Sequence, residues 1–227
     1  MAKKKQDKFE KQDEQLQEVN EALTGAGKWI EEHANALSWC ITIIALVAVA
    51  IMAYNQFVVT PKKQAANEAI AKTVGYFMVG DYEKALYGDD IQADGFEAIA
   101  DQYSNQEGKL AALYAGICHF ERAEYEEAAE FLKRFSADDV NFDPAAHQLL
   151  GDAYVELQQY DDAAKAFEAA AKSGNKVIAP MSLKKAGIVY LHEGENAKAL
   201  KAFKTIKEKY PNSNEAKDID KYIAIAQ

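Results

Sequence analysis

Cysteine is scarce in this sequence: only two occur in 227 residues. Cys40 lies in an uncharged apolar stretch and Cys118 in a segment predicted to be helical, so the two are not expected to pair. The chain therefore has no intramolecular disulfide framework, and its cysteine usage says little about its compartment.

An excess of positive charge is also missing. The net charge is −10, and the residues after position 60 include 20 Lys and Arg against 28 Asp and Glu. A nucleic-acid-binding protein would need a basic face, so a nucleic-acid partner is not expected. The same balance argues against tight docking of this part of the chain on anionic lipid.

Constellations that carry chemistry are lacking as well. The four histidines show no metal-ligand spacing: they are His33, His119, His147 and His192. Asp139, Asn141 and Asp143 have the opening spacing of a calcium loop, but Pro144 stands where that loop needs glycine. We interpret Asp143 instead as the N-cap of a helix with Pro144 in its first position. With no paired nucleophile and base and no phosphate-binding loop, we expect no enzyme activity, no cofactor and no metal site.

One long apolar run is present, from Ala36 to Tyr54, with 19 residues and no charge. As a helix it would cover roughly 28 Å, close to the thickness of a bilayer's hydrocarbon core. Trp39 and Tyr54 lie near its ends, where amphipathic rings favour the membrane interface. A buried core helix is the alternative, but such a helix usually has a polar face. We predict a transmembrane helix over 36–59.

This helix is expected to be a permanent anchor, because the 35 residues before it exceed the n-region of a cleaved signal. Ala45, Ala48 and Ala53 offer small faces for packing against other membrane helices. Only Lys28 of the six lysines before it lies within about twenty residues, so local charge does not decide which side of the membrane the preceding tail occupies.

The preceding tail, residues 1–35, has a weak heptad pattern interrupted by Gly25 and Gly27. Its apolar positions recur every seven residues at Phe9, Leu16, Leu23 and Ile30. We interpret it as a solvated, partly helical tail, with a short partner-binding or self-pairing helix as the alternative.

Beyond the apolar run, Pro61 is expected to mark a break, and the chain then repeats itself. The best-formed unit, residues 144–177, has Gly151, Tyr154, Ala163 and Phe167 at fixed places. The pattern resembles a tetratricopeptide repeat, a helix–turn–helix of 34 residues. In this interpretation the glycine lets the two helices approach closely.

Two neighbouring units follow the same pattern at spacings of 35 and 36 residues. The upstream unit has Gly116, His119, Tyr125, Ala128 and Leu132, and the downstream unit has Gly187, Tyr190, Gly194, Ala199, Phe203 and Pro211. Since His119 replaces the repeat's tyrosine, we expect it in the core or the turn. A degenerate unit at about 66–105, broken by Gly88 and Gly95, precedes units 109–142, 144–177 and 180–213, and 213–227 caps the array. The predicted fold is all-α, a transmembrane helix followed by a tetratricopeptide-repeat α-solenoid over 60–227.

Stacked first helices of such repeats form a groove that binds protein partners. The resemblance places ten candidate residues on it: Leu110, Leu113, Ile117, Phe120, Gln148, Asp152, Val155, Lys184, Ile188 and Leu191. The alternative for each is that it simply packs between repeats. The set lacks the Lys, Asn and Arg with which some of these domains hold a C-terminal carboxylate.

The whole arrangement resembles the YfgM-like family in its Bacteroidota-type form, over residues from about 36 to 227. The matching segments are 80–86, 114–118, 151–157 and 184–190, together with the anchor and the broken first repeat. The resemblance implies a bacterial inner-membrane protein with a cytoplasmic tail and a periplasmic domain. It also implies association with the membrane subunits of a SecYEG-type Sec translocon, with a PpiD-type prolyl isomerase and with secreted client proteins. The predicted function is a periplasmic adaptor or chaperone; the alternative is a structural scaffold for assembly of the cell wall or outer membrane.

Overall fold

The computed structural model describes residues 29, 33–89, 93–103, 106–137 and 139–227, with the backbone alone for Leu37 and Gln106. The described residues fall into two units, divided between Pro61 and Lys62. The heptad predicted for the tail falls almost entirely outside the described residues and stays a prediction.

The first unit contains helix α1, Ala34–Tyr54, followed by the π-helical segment Asn55–Val59. The most apolar 18-residue window of this helical region has a mean hydropathy of 2.5, and none of it is buried. The alternative of a buried core helix finds no support in this unit. By length and composition, this is the one helix among the described residues that could cross a membrane.

The expected break at Pro61 does not occur. Helix α2, Thr60–Met78, contains Pro61 as its second residue. Proline lacks an N–H group and its ring crowds the carbonyl four residues earlier, so an ordinary α-helical turn would be strained here. The π-helical segment widens this turn, and both the backbone N–H and the hydroxyl of Thr60 donate to the Asn55 carbonyl oxygen.

The second unit is built of stacked helix pairs, which confirms the predicted all-α solenoid. Three regular pairs follow the degenerate unit. They are α5 (Gln106–Glu121) with α6 (Tyr125–Arg134), α7 (Phe142–Glu156) with α8 (Tyr160–Lys172), and α9 (Ile178–His192) with α10 (Asn196–Lys209). In each pair the two helices pack on each other, and each second helix packs on the first helix of the next pair.

The degenerate unit is interrupted where the glycines predicted it. Its helices are α2, α3 (Tyr82–Tyr87) and α4 (Phe96–Gln102), and between α3 and α4 lie the short antiparallel strands β1 (Gly88–Asp89) and β2 (Ala93–Asp94). A Cβ atom on Gly95 would lie 1.9 Å from the Leu86 carbonyl oxygen, so only glycine fits. Phe96 and Ile99 are fully buried and pack in one core with α5.

A glycine on the first helix of each regular pair meets a large side chain sixteen residues later. A Cβ atom on Gly151 would be 2.5 Å from the Phe167 ring, and one on Gly187 would be 2.3 Å from the Phe203 ring. Gly116 faces Leu132 in the same way, at 2.6 Å. These contacts confirm that the glycines allow the two helices to approach closely.

The turn inside each pair also repeats. Ala123, Gln158 and Gly194 adopt left-handed backbone conformations, with φ of 60°, 58° and 74°. The next residue in each turn donates its N–H to a carbonyl five residues earlier, as in Glu195 to Tyr190 at 2.8 Å. This is the Schellman end of a helix, and it redirects the chain into the second helix.

The start of α7 differs from the prediction. Asp143 lies inside the first turn, and the N-cap residue is Asn141. The Asp139 carboxylate accepts hydrogen bonds from the N–H groups of Asn141 and Phe142, at 2.7 and 2.8 Å, so it satisfies two donors at this helix end. Asp143 instead accepts a bond from the N–H of Ala137, at 3.3 Å.

The C-terminal end of the array is covered as predicted. A 3₁₀ turn, Glu215–Lys217, leads into helix α11, Ile219–Ile225. Ile219 is 1% exposed, and Tyr222 and Ile223 pack against the same core as Phe203. The last regular pair therefore does not leave its apolar face open.

The contact between Gly151 and Phe167 leads to a stability prediction. Gly151→Leu should lower the free energy of unfolding by about 1–3 kcal/mol, because the new side chain enters a filled helix–helix contact. Gly75→Leu is the matched control, since a Cβ atom there meets nothing within 4 Å. Thermal unfolding of the full chain in mild detergent, followed by circular dichroism, measures both; equal melting temperatures would contradict this packing.

Candidate partner-binding groove

The ten predicted groove residues all lie on α5, α7 and α9, the first helices of the three regular pairs. Neighbouring first helices contact each other directly. The stack therefore brings the predicted residues onto adjacent helices, and their surroundings fall into two groups, polar and apolar.

The polar members mostly pair with residues of the next repeat. The Lys185 ammonium group lies 2.6 Å from the Asp152 carboxylate, and that of Lys184 lies 2.7 Å from the Asp218 carboxylate. The Gln148 side chain accepts a hydrogen bond from the Ser182 hydroxyl at 3.1 Å. We call these three contacts the polar ladder, since each joins positions 33 or 34 residues apart.

Most apolar members pack between helices. Leu113 is 7% exposed and belongs to a core cluster with Leu132 and Leu150. The two predicted groove residues that follow it on α5, Ile117 and Phe120, are partly buried against this same cluster. Much of the surface of these three side chains therefore packs between helices, as in the alternative interpretation.

The remaining apolar members differ in exposure. Leu110 is partly buried between the core around Phe96 and the core around Leu132. Val155 packs against the core around Phe167, and Leu191 packs against the core around Phe203. Ile188, in the middle of α9, is 44% exposed. It is the one fully described member of the ten that is exposed rather than partly or wholly buried. Ile188 is therefore the apolar side chain of the predicted groove most available to a partner.

His119 is buried between two carboxylates, a cluster that the repeat pattern foresaw only in part. Its ring is 2% exposed; Nδ1 lies 2.8 Å from a Glu124 oxygen and Nε2 lies 2.9 Å from a Glu97 oxygen. Arg122 donates to the other Glu124 oxygen at 2.9 Å. The predicted core or turn position of His119 is confirmed. Glu97 was not foreseen, because it comes from α4 of the degenerate unit.

The environment of this cluster shifts the pKa of Glu124. Burial acts to raise it, but hydrogen bonds from His119 and Arg122 together lower the pKa below its ordinary value of 4.5. Elsewhere, burial raises the pKa of the Cys118 thiol to about 12, so this thiol is held in its inert neutral form. Cys40 is exposed on α1, and both cysteines are free thiols.

No group of three or more His, Cys, Asp and Glu able to hold a metal ion occurs among the described residues. On α1, the three alanines proposed for membrane-helix packing are all exposed: Ala45, Ala48 and Ala53. Their packing against other helices stays a prediction.

Comparison with known proteins agrees with the helix pairs. The family model of the tetratricopeptide repeat matches residues 149–214. No curated protein matches the sequence. A MamA structure labelled AMB-1 is 19% identical, with a TM-score of 0.50, over 72% of this chain and 81% of that one. Another MamA crystal structure is 20% identical, with a TM-score of 0.51, over 72% of this chain and 91% of that one.

The chain contains a tetratricopeptide repeat over residues 149–214, and its helix pairs share the fold of the MamA structures. At identities near 20% the MamA structures show a shared fold and nothing about partners.

The lowered pKa of Glu124 generates a pH prediction. A carboxylate whose pKa is lower in the folded state stabilises the fold above its unfolded pKa and loses that contribution as pH falls through the folded value. Glu124→Gln should therefore be less stable than the parent at pH 7, and the difference should shrink as the pH falls below about 4.5. Denaturant unfolding at several pH values measures this.

The matched control is Glu156→Gln, because Glu156 is exposed at the end of α7. It should change stability little at any of these pH values. If the difference for Glu124→Gln were the same at pH 7 and pH 3, the ionised carboxylate would not be what stabilises the turn.

Proposed function

We propose that this protein is a membrane-anchored, non-enzymatic adaptor that binds protein partners through its repeat unit. The observation that carries the proposal is the joining of two features in one chain. The first feature is an apolar helix that has no buried residue in its most hydrophobic window. The second is the stack of helix pairs that follows it, which has the tetratricopeptide fold typical of interaction scaffolds. Held by its anchor, such a unit would search for partners in a thin layer beside a membrane.

The finer proposal is a bacterial inner-membrane protein with a cytoplasmic tail and a periplasmic repeat unit. Its partners would be the membrane subunits of a Sec translocon and a PpiD-type prolyl isomerase, and it would receive secreted proteins as they emerge. The support is the resemblance of segments 80–86, 114–118, 151–157 and 184–190 to the YfgM-like family. The degenerate first unit, broken at Gly88 and Gly95, agrees with that resemblance.

The groove itself supports modest affinity. Ile188 is its exposed apolar side chain, and most other apolar members are partly or wholly buried. A small apolar site of this kind corresponds to dissociation constants of about a micromolar or weaker. Anchoring the unit near its partner raises the effective concentration, so a weak site is sufficient.

A structural scaffold for cell-wall or outer-membrane assembly is the second candidate, and the polar ladder favours it. Asp152, Lys184 and Gln148 already pair within the chain, which fixes their positions and leaves fewer polar groups for changing clients. A scaffold in a permanent complex needs such a rigid surface more than a groove that adapts to many clients.

Topology is the first test. Protease added to spheroplasts should digest residues 62–227 while an epitope on the tail stays protected, because the proposal places them on opposite sides of the membrane. Lysed spheroplasts, in which the repeat unit and the tail epitope are both accessible to protease, are the control. Protection of the repeat unit in intact spheroplasts would instead indicate a cytoplasmic scaffold.

Partner binding is the second test. Purification in mild detergent should recover translocon subunits and a periplasmic isomerase. Ile188→Asp should reduce recovery of the soluble partner by about tenfold, because it introduces a charge that the complex would bury. Val177→Asp is the matched control, since Val177 is 67% exposed and lies outside the predicted groove. Recovery of envelope-assembly proteins alone, unchanged by Ile188→Asp, would favour the scaffold.

A further inference from the structure

The second helix of the last regular pair begins with fewer acidic residues than the second helices of the other two pairs. The first turns of α6 and α8 carry acidic residues, Glu126–Glu127 and Asp161–Asp162, which complement the positive end of a helix dipole. The corresponding turn of α10 has no acidic residue inside it; its acid is the N-cap Glu195, which pairs with Lys198 at 3.2 Å. The acidic pair of the first two repeats is thus replaced in the third by one acid and one lysine.

Helix α10 is also rich in positive charge along its whole length. The helix has five lysines and one glutamate in 14 residues, and its lysines are all exposed. Lys207 pairs with Asp220 of the capping helix, at 2.6 Å. Lys201 and Lys204 take part in none of the ion pairs or side-chain hydrogen bonds described for this unit. Helix α10 is thus a basic surface on a chain whose net charge is −10.

A cavity of about 430 Å³ opens between α8 and α10 beside this surface. Its floor is formed by Leu183, Ala186 and Tyr190 of α9, and Lys165, Lys198 and Lys201 line it as well. Glu168 is the one acidic residue that lines this cavity, and its carboxylate accepts a hydrogen bond from the Tyr190 hydroxyl at 2.7 Å. Lys165 pairs with Asp162 at 2.8 Å and Lys198 pairs with Glu195 at 3.2 Å, so Lys201 is the lysine of this cavity that takes part in none of the described ion pairs. We call this site the basic pocket: an apolar floor with three lysines around it.

The same chain carries a surface of the opposite character on α6 and α3. Glu126, Glu127 and Glu130 are exposed on α6. Tyr87, at the end of α3, is 56% exposed. Burial of part of its ring, together with the negative charges of Glu97, Glu124 and Glu127, raises the pKa of Tyr87 against the opposing positive charge of Arg122, so its hydroxyl stays neutral. We call Tyr87 and the three glutamates of α6 the acidic surface.

We propose that the basic pocket of one molecule binds the acidic surface of a second copy of this chain, with Tyr87 entering the pocket. The charges are complementary, and an aromatic ring suits an apolar floor bounded by lysines. The two surfaces are different patches, so the contact is heterologous and joins molecules head to tail. This self-association extends beyond the adaptor function and does not depend on the predicted groove.

A second copy is a better occupant than an unrelated acidic protein because the charge asymmetry lies within this chain. Residues 62–183 have 11 Lys and Arg against 22 Asp and Glu, whereas residues 184–227 have nine Lys against six Asp and Glu. Each molecule therefore carries both the basic pocket and the acidic surface that complements it. Common attachment to a membrane would raise the effective concentration of the copies for each other.

Exchange of charges between the two surfaces is the decisive experiment. One variant combines Lys198→Glu with Lys201→Glu, and the other combines Glu126→Lys with Glu127→Lys. In sedimentation of the full chain in detergent micelles at about 0.05 M salt, each variant alone should self-associate about tenfold or more weakly than the parent, because like charges then face each other. An equimolar mixture should restore association, since the first variant is acidic on both surfaces and the second is basic on both.

Two further measurements complete the test. Tyr87→Ala should weaken self-association, whereas Phe142→Ala, which removes another exposed ring, should not; Phe142 is 58% exposed. Circular dichroism of every variant verifies that it is folded. A monomeric parent chain under these conditions, or a mixture of the charge variants that associates no better than either alone, would overturn the proposal. Capture of an unrelated acidic protein by a parent chain that stays monomeric would assign the pocket to a different occupant.

Discussion

The distance between the two helices of each pair is set by a glycine facing a large apolar side chain sixteen residues later. Gly151 lies against Phe167, and Gly187 lies against Phe203. Because Phe167 and Phe203 are both almost fully buried, neither ring has room to move away from a larger residue. The core clusters and the contacts between successive pairs depend on this spacing, since each second helix carries its buried face to the next first helix.

Features encoded by nearby residues could be predicted from the sequence. The helix pairs, the turn near His119, the break at Gly88 and Gly95, and the capping role of Ile219 each depend on local spacing and side-chain size. The apolar helix could be predicted for the same reason, because its apolar residues follow one another directly in the sequence. The break expected at Pro61 was wrong, since the widened π-helical turn before it accommodates the ring.

Pairings across repeats could not be predicted in the same way. Asp152 contacts Lys185 rather than Lys184, and a difference of one position depends on how α7 and α9 are rotated about their axes. The burial of Leu113 and the exposure of Ile188 depend on the same rotation. A pattern of groove positions identifies the helices that form a surface, but their packing decides which side chains remain available to a partner.

The polar ladder also bears on how such a chain can change length. Each of its contacts joins positions 33 or 34 residues apart, so it works only when consecutive pairs stay in step. Gain or loss of a single residue within a helix would turn the ladder positions by about 100° and separate their charges. Duplication of a whole helix pair would preserve every contact. The array is therefore built to grow or shrink in whole repeats, as tandem duplication of a gene segment does.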